Sequence, residues 1–566
     1  MRQQETRNSL RWPPAAELRW AAVAAAALML LTCIPYLYGL AIRPSGHYYS
    51  GLLTNPDEHN VYLAYMRQAR DGDLFFIDPF TSEAQLGRTV NVFFLSLGMF
   101  SRLTRLSLPV TYHLARVVSG WLLLMAIYCL AAQVLATIRG RRLALALAGL
   151  ASGLGWLYPA AAGRPHPIDY GPGLIMPEAI TFLSLLLNPL FSFSAFLMVA
   201  TLGLTAHALT RDSLRSAVLA GLAALVLGNI HTYDLIPLVA VLALFLILLL
   251  ASRRLTVRAM ALALLIAVLA APSVIYQLWL LRAGDVTLIV KSRETPVVSP
   301  EPLFLALGLG LPLALAVVAA ALHSWRGATD GARLVALWLV LGFALVYLPV
   351  PFQRKLAEGL HIPVCILAAL ALEPLWLSER RRRNAAWLAP ALVLLTIPSN
   401  LLFVSRALGD LRSNNLAYLG NFMPPLCLNP DQRAALRWLD GRAARSDLLL
   451  CSSFLGSYAP SLSGTRVYVG HWAETLNYRK KQGTLSSFLR ADTPDESRKA
   501  FCRQEGITYV LRDRSVAAFV QGLALEYDQA YYLPSTGEAG AGFDPDSSDW
   551  LASVHQAGRV SLYRVK

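Results

Sequence analysis

Asn55-Pro56-Asp57-Glu58-His59 sets two carboxylates and an imidazole side by side, about fifteen residues beyond the first long apolar run of a 566-residue chain. An ionised carboxylate can take the proton from a reacting hydroxyl, and a second acid or an imidazole beside it can position the substrate. The same residues also fit a helix start. Asn55 is a good N-cap, Pro56 a good first helical residue, and first-turn acids suit the helix dipole. The two readings are compatible, because a helix N-terminus favours the ionised form that a base must have. Val61, Tyr62, Tyr65, Met66 and Ala69 recur at helical spacing, which predicts a helix lying on a surface here.

Other polar groups gather between the apolar runs: His166, Asp169 and Glu178; His231, Tyr233 and Asp234; Arg282, Lys291 and Arg293; Gln353, Arg354, Lys355, Glu358 and His361. Each has two readings. Glu178 is either an acid of a site or a cap for the helix after Pro177. Arg354 and Lys355 are either a headgroup-contacting loop or a clamp on phosphate oxygens, which arginine forks bind well. His231 and His361 are either structural or members of that clamp, and Asp234 either orients His231 or caps the next helix. No His or acid set has metal-ligand spacing, so no metal and no other cofactor is expected.

The surrounding chain must place these groups in a membrane. Of the residues 55% are hydrophobic and 15% charged. Runs of about twenty apolar residues recur, long enough to cross a bilayer. About eleven helices are predicted, near 20–40, 112–138, 143–161, 190–210, 215–230, 233–251, 258–281, 301–322, 334–350, 361–378 and 385–405. Val90 to Phe100 is too short to span and reads as an interfacial helix. The N-terminal run has basic residues before it (Arg2, Arg7, Arg11, Arg19) but no cleavage site after it, so it reads as a permanent helix rather than a signal peptide.

The net charge of +15 does not indicate nucleic acid, because the arginines concentrate in short loops. Arg139, Arg141 and Arg142; Arg211 and Arg215; Arg253, Arg254 and Arg258; Arg326 and Arg333; and Arg380 to Arg383 fall in alternate loops, on the side of the basic N-terminus. By the positive-inside rule that side is cytoplasmic. The expected protein is therefore a multi-pass protein of a bacterial plasma membrane. Residues 41–111 form its first outward loop, and 406–566 an outward tail. The span centres carry almost no charge, which argues against an ion or proton pathway. Pro237 and Pro272 are places where helices can break.

The tail changes character. Asp431 to Leu439 has helical spacing, as do stretches near 478–490 and 494–505. Leu448 to Cys451, Arg466 to Val469 and Ile507 to Leu511 read as short buried strands. Strands alternating with helices predict a small α/β domain with a mainly parallel sheet. Gly470-His471-Trp472-Ala473-Glu474, at a strand end, is either a structural loop or a contact for a sugar or lipid headgroup. Six scattered cysteines form no CxxC pair, and one disulfide among Cys427, Cys451 and Cys502 is left open.

An outward first loop that opens with Asp57-Glu58, runs through a helix to Asp71-Gly72-Asp73, and continues with Phe75, Phe76, Pro79 and Phe80 resembles the C-type (GT-C) membrane glycosyltransferases. Protein O-mannosyltransferases and lipid A aminoarabinose transferases are among them. The resemblance implies a GT-C-like transmembrane domain over 1–405, with the α/β domain 406–566 behind it. It implies a polyprenyl-phosphate sugar as donor and a lipid, glycan or protein hydroxyl as acceptor. Asp57 would take the acceptor proton, Glu58 would position the acceptor, and Glu178 would be a second-loop acid. Donor-phosphate candidates are Arg88, Arg354, Lys355 and His361, with His59, His231, Asp234 and His471 as further candidates. Where many relatives have His-Lys-Pro-Pro, this chain has Gly87-Arg88-Thr89-Val90, which leaves the phosphate holder open. The competing expectations are a multi-span lipid or polysaccharide transporter and a non-catalytic envelope assembly protein.

Overall fold

The computed structural model describes residues 12–54, 56–157, 176–284, 297–377, 387–414, 426–514 and 543–566. The expectations placed on Arg2, Arg7, Arg11, Asn55, His166, Asp169, Lys291, Arg293 and Arg380 to Arg383 lie outside them. Among the described residues eight helical segments are long and apolar enough to cross a membrane. They are Ala15–Ile42, Leu108–Val134, Pro189–Arg211, Thr232–Ala251, Val257–Arg282, Pro302–Leu322, Gln353–Leu377 and Leu388–Arg412. The other three expected spans are helical but shorter. Ile138–Leu150, Leu214–Ile230 and Asp330–Leu345 have 13, 17 and 16 residues. At 1.5 Å per residue, thirteen residues reach about 20 Å, short of a bilayer core of about 30 Å. Val92–Thr104 forms the expected short helix, capped by Asn91.

Neither Pro237 nor Pro272 breaks its helix. The break falls in Pro302–Leu322, at Gly310 with φ 56° and ψ −138°. A Cβ there would come within 2.8 Å of the Gly153 Cα, so glycine is needed for the conformation and for the close approach. Arg116, inside its span, is buried. It donates to Thr32 Oγ1 at 2.6 Å and to the Leu185 carbonyl at 3.0 Å. Sequence reading set the spans as nearly uncharged; this guanidinium is tolerated because its donors are satisfied internally.

The chain gathers into two compact units. The first holds Met1–Ile34, His113–Trp279 and Val297–Ser405, and the second Pro35–Tyr112, Leu280–Pro296 and Arg406–Lys566. In the second unit, β1 (Tyr48–Tyr49) from the first loop pairs antiparallel with β2 (Cys427–Leu428) from the tail. The tail sheet adds β3 (Leu448–Leu450), β4 (Arg466–Val467), β5 (Tyr509–Asp513), β6 (Leu551–Ala557) and β7 (Val560–Val565), in the order β4-β3-β5-β7-β6. Pairings of β3 with β4 and β5 are parallel; those of β7 with β5 and β6 are antiparallel. The sheet is therefore mixed rather than mainly parallel, because a C-terminal hairpin turning at Gly558-Arg559 completes it.

Alternate strand residues face opposite ways. Leu449, Leu511 and Leu562 pack with Leu436, Leu455 and Tyr458 from helices Pro430–Leu439 and Ser453–Ser463. Leu448, Leu450, Val510 and Tyr563 pack with Leu485, Phe488 and Cys502 from helices Tyr478–Leu489 and Asp495–Glu505. The sheet thus has helices on both faces. All six cysteines are thiols, so no disulfide joins Cys427, Cys451 and Cys502. Those three are buried, and burial pushes the Cys502 thiol up to about 12.

Candidate active site

The acidic pair opens the helix Pro56–Asp71, as the spacing predicted. Its two members are placed differently. Asp57 is fully buried, whereas the Glu58 side chain keeps 37% of its surface exposed. His59 is buried with its ring edge-on to Tyr112 and Tyr62, at 5.8 and 6.2 Å.

The group facing the pair comes from the tail. His471 is fully buried, with Nε2 3.8 Å from Asp57 Oδ2 and 4.0 Å from Glu58 Oε1. Its other nitrogen, Nδ1, accepts the Ala473 backbone N–H at 2.9 Å. In the neutral ring that bond assigns the proton to Nε2, so the N–H points toward the acids. Both separations exceed hydrogen-bond length.

Several bonds fix His471. The turn 471–475 is closed by Thr475 N donating to the His471 carbonyl at 2.9 Å. Thr475 Oγ1 receives the Gly470 N–H at 3.1 Å and donates to the first-loop carbonyl of Phe80 at 2.7 Å. Trp472 stacks on the imidazole at 5.9 Å and 19°, and Phe80 meets it edge-on at 6.1 Å. A Cβ at Gly456 would fall 2.3 Å from the Val469 carbonyl, so glycine lets Ser453–Ser463 close against the strand that delivers His471.

First loop and tail are locked together by charge. Arg67 donates to Asp71 and Asp440, each at 2.6 Å, and to the Leu462 carbonyl at 3.1 Å. Lys481 donates to Thr81, Ser82 and Glu83 at 3.1, 3.0 and 2.9 Å. Burial alone would raise the Glu83 carboxyl; bonds from Lys481 and Thr81 outweigh it and hold the group below the ordinary glutamate value. Of these groups, Asp71 alone was singled out in the sequence. Arg67 and Lys481 read as solvated helix charges until the tail is seen packed on the loop. Arg88 is exposed, beside the bridge of Phe76 to Thr89.

A second cluster lies in the first unit. Glu178 is buried and its Oε1 pairs with Arg354 Nη2 at 3.3 Å. The Gly359 N–H donates to the Glu178 carbonyl at 3.2 Å, tying the two loops. Glu358 is buried, neither of its oxygens hydrogen-bonds, and the charges acting on it are Asp234, Glu178 and Lys355. Asp234 Oδ1 and His231 Nδ1 lie 2.9 Å apart but off the line of a hydrogen bond. Lys355 sits 5.3 Å over the Tyr233 ring. His361 is turned away into helix packing, with Nδ1 3.3 Å from Thr181 Oγ1 and Nε2 3.4 Å from Cys365 Sγ. The sequence grouped Glu178, Asp234, Arg354 and Lys355 by loop; Glu358 was visible there only as one more loop acid. The cluster offers a guanidinium and an ammonium to an oxyanion. No group of three or more metal-ligating side chains is assembled among the described residues.

No family model matches the sequence, and no curated protein matches it at the level of sequence. Solved structures do. An oligosaccharyltransferase from Archaeoglobus fulgidus, solved with a tethered acceptor peptide containing the NVT sequon, aligns at TM-score 0.52 and 14% identity over 87% of this chain and 69% of its own. The arabinofuranosyltransferase AftD from Mycobacteria aligns at 0.54 and 16% over 97% of this chain. This chain spans 40% of that protein's length, and 41% in a second AftD structure that aligns at TM-score 0.55. Both relatives are GT-C membrane glycosyltransferases. The fold of this chain is the GT-C fold, a multi-pass helical membrane domain with a C-terminal α/β domain.

Proposed function

We propose that the protein is a glycosyltransferase that moves a sugar from a polyprenyl-phosphate donor to an acceptor hydroxyl at the outer face of a bacterial plasma membrane. One observation carries the reading: within a GT-C fold, the buried Asp57 faces the Nε2–H of His471. In this mechanism the acceptor oxygen attacks the anomeric carbon while its proton passes to Asp57. The anomeric C–O bond to phosphate breaks, and the electron pair leaves on the phosphate. A single in-line displacement inverts the anomeric centre. His471 points its N–H at the carboxylate and keeps Asp57 aimed at the incoming hydroxyl. Glu58, half-open to solvent, positions the acceptor. The developing charge of the leaving phosphate calls for a guanidinium or an ammonium beside it. No step is assigned to a metal ion.

The test is transfer itself. Full-length protein in lipid is incubated with a panel of radiolabelled polyprenyl-phosphate sugars, and the product anomer is determined. Transfer with inversion is expected from at least one donor. Retention of configuration, or no transfer beside vectorial movement of lipid, would overturn the proposal.

A further inference from the structure

We propose that a second-unit cavity walled by Arg67, Arg70, Arg433 and Arg437 binds a phosphate oxyanion carried by a membrane lipid. The cavity has a volume of about 230 Å³ and is lined by those four guanidiniums against one carboxylate, Asp440. Arg67 is already committed to Asp71, Asp440 and the Leu462 carbonyl. Among the described residues the ion pair of Arg70 is a long contact with Asp71, at 3.8 Å. Arg433 lies over the Tyr48 ring at 5.3 Å, and Arg437 stands one turn further along the same helix. Neither has a carboxylate in ion-pair reach among the described residues. Like charges at this spacing repel, and an anion between them removes the repulsion. Burial and then Arg67 push the Arg70 guanidinium below its ordinary value; burial and then Arg437 do the same to Arg433. Converging arginine forks suit a tetrahedral oxyanion better than a single flat carboxylate.

The rim points to a lipid as the carrier. Leu108 and Pro109 line the cavity where the membrane-length helix Leu108–Val134 begins. Around that start Leu103, Leu106 and Val110 expose 83%, 36% and 51% of their surface. Exposed apolar side chains at the foot of a span fit acyl chains, while the cavity takes the headgroup. The place is distinct from the Asp57 site. Arg67 is ten residues further along the same helix, about 15 Å along its axis. The inference does not depend on the glycosyl-transfer reading.

The full-length protein in neutral detergent is titrated with phosphatidylglycerol, phosphatidylcholine and inorganic phosphate, with bound lipid read by native mass spectrometry. Phosphatidylglycerol is expected to bind at least about tenfold tighter than phosphatidylcholine. The double variant R433Q/R437Q loses about tenfold of that affinity. Arg70→Gln, on the facing wall, loses part of it, and Arg490→Gln, far out on the surface, loses none. Equal binding of the two lipids, or a double variant indistinguishable from Arg490→Gln, overturns the proposal. Inorganic phosphate displacing phosphatidylglycerol at equal concentration supports the oxyanion pocket and overturns the lipid as its source.

Discussion

The two buried acid clusters are built on opposite plans. In the second unit one buried carboxylate, Asp57, faces one N–H donor, His471, and its neighbour Glu58 remains half-open. In the first unit three carboxylates are buried together: Glu178 pairs with Arg354, and Asp234, Glu178 and Lys355 act on Glu358. The first plan aims an N–H at a carboxylate, an arrangement suited to proton transfer. The second concentrates charge without satisfying it, since both Glu358 oxygens make no hydrogen bond. Buried polar groups left in that state cost stability and are kept where they bind something.

That contrast can be broken most sharply at His471. His471→Ala is expected to lower the turnover rate by about a hundredfold with little change in acceptor KM. His471→Gln, which keeps an N–H donor, should recover part of it. A change confined to KM would make the residue an acceptor contact and not a positioning group. Next in size is the lock on the site. Arg67→Ala should destabilise the protein by about 2 kcal/mol, less than a fully buried pair because Asp440 is partly exposed. Thermal unfolding in detergent reads this, and an unchanged midpoint would mean that loop and tail hold together without it.

The first-unit cluster should answer in the opposite direction. Glu358→Gln is expected to raise stability by about 1 kcal/mol by removing a buried acid that makes no hydrogen bond and faces two further acids. A loss of stability would mean that the carboxylate is satisfied by a bound group. The smallest effect is a pH dependence. Glu83 is held below its ordinary value, so its contribution is present above the unfolded glutamate pKa and lost as pH falls through the folded one. The wild-type unfolding temperature should therefore drop more steeply below about pH 4 than that of Glu83→Gln, by less than about 1 kcal/mol. Parallel curves would assign the Lys481 bonds no net role.

Much of this was legible in the chain. The apolar runs marked the helices because length and hydrophobicity suffice for a span, and Asp57-Glu58 marked a helix start because Pro56 and first-turn acids belong there. Strands β3, β4 and β5 fall where short apolar runs predicted them, although β4 is shorter than Arg466 to Val469 and β5 runs two residues beyond Leu511, because its far end pairs with β7. The hairpin of β6 and β7 was not visible, since Leu551–Ala557 has polar residues on its open face and no continuous apolar run. Ser453–Ser463 hid because serine, glycine and Pro460 look like a loop; packing on the sheet overrides those propensities. Both halves of the Asp57–His471 contact were candidates in the sequence, but their meeting was not. They are 414 positions apart, and the docking of the tail on the first loop, with Val469 against Thr81 and Thr475 on the Phe80 carbonyl, brings the strand end there.

The base assignment is tested most directly by single-turnover transfer with Asp57→Asn, which keeps the shape and removes the proton acceptor. The account predicts a loss of about a thousandfold in the chemical step, with donor binding and unfolding temperature unchanged. Transfer near the wild-type rate by this variant would contradict it.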